Sequence, residues 1–175
     1  PEDYAAELAS ATGYFYTQGM PEDVQALREH VLTRAEFMAQ AELVYLERAR
    51  MLDHALDRYV ANDEGGLLFF YVSSVDLAMH MMWRHTDPLH PLYRADQAAK
   101  YGDSILKAYQ RMDSIVGKVM EKMPADATLF VVSDHGFAPW RRVMNYNTWL
   151  AQEGYLRLKG ESADRANLED LFDKS

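Results

Sequence analysis

Two short apolar runs, Leu67 to Val72 and Thr128 to Val132, both end on a serine followed closely by an aspartate and a histidine, and a long amphipathic stretch separates them. Continuous apolar runs of this length read as strands covered on both faces, which favours parallel over antiparallel pairing. Strand, long helix, strand is a βαβ unit with a right-handed crossover. The expected fold is therefore α/β: a small, mainly parallel sheet with long flanking helices. Ligands of open α/β sheets bind beyond the carboxyl ends of the strands, so both Asp/His pairs are expected on one sheet edge.

The rest of the chain supports the helical layers. Pro21 with Glu22 and Asp23 reads as a helix start running to about His30, since Pro suits the first helical position and acids its positive end. Thr33 with Glu36 is a capping box. Phe37, Ala41, Val44, Tyr45, Arg48, Leu52, Ala55 and Tyr59 then follow at helical spacing, with Asn62 to Gly66 as the stop. A second long helix is expected from about Tyr93 to Lys122, a short one from Asn147 to Glu153, stopped by Gly154, and a last strand over Tyr155 to Leu158. The expected organisation is a helical cap-like segment over 1–62, an α/β metal-ligand core over 63–160 and a polar tail or further helix start over 161–175, packed as one unit.

Composition removes several functions. The net charge is −9 and cysteine is absent. A polyanion would be repelled, so nucleic-acid binding is not expected. Thiolate metal sites are excluded, which leaves His, Asp and Glu as strong ligands. No signal-peptide pattern and no apolar run near the ~18 residues of a membrane span is found, and the chain, opening on Pro1, reads as part of something longer.

Asp76 and His80 are four residues apart, so in a helix their side chains share a face and can grip one ion, although Asp76 could equally cap that helix. Asp134 and His135 are adjacent and can share a site only in an irregular turn, which Gly136 permits. Carboxylate oxygen and neutral imidazole are donors that zinc or manganese accepts. Two such ions about 3.5–4 Å apart can activate an oxygen nucleophile and stabilise a leaving oxygen at phosphorus. Four ligands do not close two ions, so incomplete metal occupancy is expected.

Ser73-Ser74-Val75-Asp76-Leu77-Ala78-Met79-His80 with Trp83-Arg84-His85 and Asp87-Pro88-Leu89-His90-Pro91, then Val131-Val132-Ser133-Asp134-His135-Gly136-Phe137, then Asn147-Thr148-Trp149-Leu150 with Gly154-Tyr155-Leu156, resemble the type I phosphodiesterase/nucleotide pyrophosphatase family of the alkaline phosphatase superfamily. The resemblance covers Leu67 to Lys159 well and the preceding helical part less specifically. It implies a fragment of an alkaline-phosphatase-like fold and a metal-dependent hydrolase of small phosphate esters. Asp76 and His80 would then bind one ion together with a later histidine, and Asp134 and His135 a second together with an earlier aspartate. The family's Ser or Thr nucleophile segment has no match here, so the chain alone is expected to be inactive. Ser73, Ser74 and Ser133 read as strand-end hydrogen-bonding groups.

Other residues carry less. His85 and His90 flank a Pro-rich loop and read as turn or solvated groups, and Arg141 and Arg142 as loop residues able to steer an anion. Met79, Met81 and Met82 read as core packing. The rival readings are a phosphomutase or sulfatase-like relative and, in another class, a non-catalytic helical interaction module built on residues 1–61.

Overall fold

The computed structural model describes residues 2–62, 64–157 and 172–174. Its elements in chain order are α1 (Glu2–Thr12), α2 (Val24–Arg28), α3 (Arg34–Val60), α4 (Ser74–Thr86), α5 (Ala95–Tyr101), α6 (Ser104–Lys122), β1 (Arg142–Met144), α7 (Tyr146–Gln152) and β2 (Phe172–Lys174). The chain divides into two compact units, the first made of residues 1–82 and 103–134, the second of residues 83–102 and 135–175. No helix among the described residues is long and apolar enough to cross a membrane.

In the first unit α3 is the organising element. The Thr33/Glu36 capping box forms as expected, with each side chain satisfying the other residue's backbone N–H. Phe37, Val44, Leu52 and Leu56 bury one stripe of the helix, and the seam against α6 is laced by Arg111–Glu42, Lys118–Asp53 and Lys122–Asp57 pairs. Helix α1 is tied to α3 through Glu7, which pairs with both His54 and Arg58. Glycines Gly65 and Gly66, both at positive φ, close the expected stop after α3.

The expected parallel sheet is not found among the described residues. Residues 67–73 and 128–133 adopt no regular secondary structure, and neither segment joins a ladder. The single β pairing among the described residues is antiparallel, β1 with β2, with Val143 opposite Asp173. Along the first run Leu67, Phe69 and Tyr71 are exposed at 91%, 75% and 54%, while Leu68, Phe70 and Val72 are half-buried. The exposure of the run thus alternates from residue to residue, so the run is not covered on both sides as expected. A run of apolar letters specifies that it will be buried where partners exist; it does not supply the partner strands that hydrogen-bond its backbone.

The expected helix from Tyr93 to Lys122 is two helices. The backbone of Gly102 sits so close to the turn before it that a Cβ there would lie 2.6 Å from the Ala98 carbonyl oxygen and 3.3 Å from that of His85. Conversely, α4 runs on to Thr86, three residues into the stretch Arg84 to Pro91 that was expected to be a loop. Residues 155–157, expected to begin a strand, are irregular, and both Leu158 and the polar stretch 161–171 lie outside the described residues.

Candidate metal centre

Helix α4 begins immediately after the first apolar run, and that is what positions the first pair. Leu77, Met79, Met81 and Met82 are buried, so the methionine cluster is core packing and fixes the rotation of the helix. Asp76, in the first turn, and His80 fall on the opposite side. Their Oδ1 and Nε2 atoms are 3.4 Å apart, with side-chain exposures of 23% and 52%. Two donors bound to one zinc at about 2.0–2.1 Å with a tetrahedral angle stand about 3.4 Å apart. The pair therefore fits a shared ion, and its donor set of carboxylate and imidazole suits zinc or manganese.

Asp134, the last residue of the first unit, follows the second run. Burial first, then the negative charges of Asp76, Asp134 and Glu22, push the Tyr71 phenol above its ordinary value. Glu22 was read from sequence as a helix-start acid, yet Asp23 is the residue whose carboxylate caps α2, accepting from the Ala26 N–H at 2.8 Å. The side chain of Glu22 is instead enclosed. A signal for this was present only in the redundancy of two acids at one helix start.

His135 opens the second unit. Its Nδ1 faces the Gly136 carbonyl oxygen at 3.0 Å, and its ring meets Phe137 edge-on at 5.3 Å. A carbonyl can only accept, so Nδ1 carries the proton and Nε2 is the basic nitrogen, the tautomer a metal-binding imidazole uses.

The remaining candidates are engaged in packing or in contacts with neighbouring groups. His85 is buried and packs on Tyr101. His90 is buried; its Nδ1 accepts from the Leu92 N–H at 3.1 Å. Burial first, then the Arg84 charge, pushes the imidazole below its usual range, against the pull of Asp87 and of the Trp140 backbone. Arg141 spends its guanidinium on Asp87 in a two-pronged pair at 2.8 and 3.3 Å, which holds that carboxyl below the usual range. Ser73 is buried, and the Ser74 hydroxyl is enclosed in a groove lined by Phe37, Ala41, Leu77, Ala108 and Met112.

The family model for type I phosphodiesterase / nucleotide pyrophosphatase matches residues 6–173, nearly the whole chain. The chain belongs to this family. Neither a curated protein nor a solved structure gives a match. Members of the type I phosphodiesterase/nucleotide pyrophosphatase family are hydrolases of phosphodiesters and are typically metal-dependent, with small phosphate esters as the substrates the family suggests. The match reaches back to residue 6, so the helical segment ahead of the two Asp/His motifs is part of the family domain and not an appendage to it.

Proposed function

We propose that this chain carries metal ligands of a phosphodiester hydrolase, with Asp76 and His80 on one divalent ion and Asp134 and His135 on a second, zinc or manganese. The observation that carries the reading is the 3.4 Å separation of Asp76 Oδ1 and His80 Nε2 on one helix face, taken with family membership. Bound ions of this kind neutralise phosphoryl oxygens and make an attacking oxygen more acidic. The protein's part is to hold them. Asp76 is presented from the first turn of α4, whose opposite face is anchored by the buried Met79 and Met82. His80 ligates through Nε2 and must be neutral to do so, which makes metal uptake acid-sensitive. Asp134 adds a second carboxylate, and the Gly136 carbonyl keeps the His135 proton on Nδ1.

Ser73 and Ser74 are enclosed and unsuited to attack. The 175-residue chain by itself is accordingly expected to bind metal while turning over bis(p-nitrophenyl) phosphate little or not at all. Thermal melting with added Mn²⁺ or Zn²⁺ tests the reading. Stabilisation by either ion, lost in Asp76→Asn and reduced in Asp134→Ala, is the expected result. A helical interaction module would melt at the same temperature with and without metal.

A further inference from the structure

Glu22 is an acid that the first unit neither pairs nor exposes. Its residue is 4% exposed, and among the described residues it is the one acid with both side-chain oxygens enclosed and without a hydrogen-bond donor. Two other acids of the unit are provided for: Asp23 caps α2, taking the Ala26 N–H at 2.8 Å, and the buried Glu47 of α3 accepts the Tyr16 backbone N–H at 3.3 and 3.2 Å. The countercharge acting on Glu22 is Arg48 of α3, which is committed to the Gln18 carbonyl at 3.3 Å and lies 3.9 Å from Glu47. Glu22 in turn acts on the Tyr71 phenol. On its own segment Asp23, Arg28, Glu29 and His30 are exposed, with Glu29 accepting from Gln25 Nε2 at 2.8 Å.

The backbone around Glu22 has the form of a hinged piece. Among the described residues the non-glycine positions at positive φ are Met20, at 50°, and His30, at 59°, and they bracket residues 21–29. A left-handed backbone at a residue with a side chain persists only where the surroundings hold it. Helix α2 between them has five residues, too few to keep its shape unsupported. The segment is seated on α3 through the Asp23 N–H, which bonds to Gln40 Oε1 at 2.7 Å, and through the enclosure of Glu22.

We propose that residues 21–29 form a proton-latched flap on α3, seated while Glu22 is protonated and released, with Met20 and His30 as hinges, when Glu22 ionises. A neutral carboxyl tolerates an enclosure without a donor, whereas a carboxylate there must reach water or a cation. Burial pushes the Glu22 carboxyl above its ordinary value of 4.5, against smaller pulls from its own backbone and from Arg48. Seating is therefore favoured in full below the ordinary value and lost as pH rises through the raised one, the open fraction growing by up to about tenfold per pH unit between them. The flap is independent of the metal reading.

The test follows the full 175-residue chain, Glu22→Gln and Glu22→Met by NMR across pH, without metal. It reads the Glu22 side-chain carboxyl ¹³C shift in the parent, and in all three the hydrogen exchange of the Asp23 and Leu27 amides, corrected for the intrinsic effect of pH. Comparing parent and variants at each pH cancels the titration of other groups. The Glu22 carboxyl is expected to titrate above 4.5, and protection of both amides to fall at least about tenfold over the same range, while the amides of α3 keep theirs. Both variants should lack that fall, Glu22→Met covering the case in which the enclosed amide of Glu22→Gln unseats the flap by itself. A Glu22 carboxyl titrating at its ordinary value, protection that stays constant through its titration, or the same fall in both variants would each overturn the proposal.

Discussion

At the scale of single residues, two histidine-aspartate associations differ in exposure. His80 is half-exposed beside Asp76, whereas His90 is buried and accepts a backbone N–H, and burial pushes its imidazole below the usual range. A histidine depressed in the folded state favours folding above its unfolded value, about 6.5, and loses that contribution as pH falls below it, because the unfolded chain then binds more protons. Asp87, depressed by Arg141, contributes above the ordinary carboxylate range and loses its share as pH falls through its own lowered value. Melting temperature is therefore expected to decline from about pH 6.5 downward. In His90→Ala the decline should flatten at its upper end, with an overall loss of about 1–3 kcal/mol from the stranded Leu92 N–H. An unchanged pH profile in that variant would contradict the assignment. The Asp76/His80 spacing was legible from sequence because four residues on a helix admit one geometry. The enclosure of Glu22 was not, since a glutamate after proline at a helix start looks the same whether it faces solvent or a buried pole.

At the scale of elements, sequence punctuation did well where the signal is local. The Thr33/Glu36 box and the glycine stop after α3 formed where side-chain chemistry places them, and Thr33→Ala is expected to cost about 1 kcal/mol, read from the midpoint of urea unfolding. The break between α5 and α6 was hidden, because nothing in a lone glycine announces that the preceding carbonyl lies 2.6 Å from its missing Cβ. Gly102→Ala should consequently cost about 1–3 kcal/mol through overpacking, where an unconstrained helical glycine would gain from the same change. A Gly102→Ala variant at least as stable as the parent would contradict that account. Met82 is fully enclosed and fixes α4, so Met82→Ala is expected to lose about 2–5 kcal/mol. It should also weaken Mn²⁺ binding, although Met82 carries no ligand atom for that ion.

At the scale of the whole molecule, the two apolar runs mark the limit of pattern reading. Leu67 and Phe69 in one, and Phe130, Val131 and Val132 in the other, are exposed by 73% or more. Both runs were expected to be strands and neither forms one among the described residues, because a sheet is a property of several segments together and cannot be read from the two it would contain. Exposed apolar surface of this kind binds hydrophobic dyes. Anilinonaphthalene sulfonate fluorescence should accordingly rise on mixing with the folded chain, and drop in a Phe69→Ser, Val131→Ser double variant of unchanged helicity.

The measurement that bears most directly on the account is X-ray absorption at the zinc edge of the chain after zinc loading and extensive dialysis. The account predicts zinc retained at less than full occupancy, with a nitrogen/oxygen shell at about 2.0–2.1 Å and no sulfur, imidazole scattering, and loss of the metal when Asp76 and His80 are both replaced by asparagine. Zinc that washes out of the parent chain, or that stays equally well in the double variant, would contradict it.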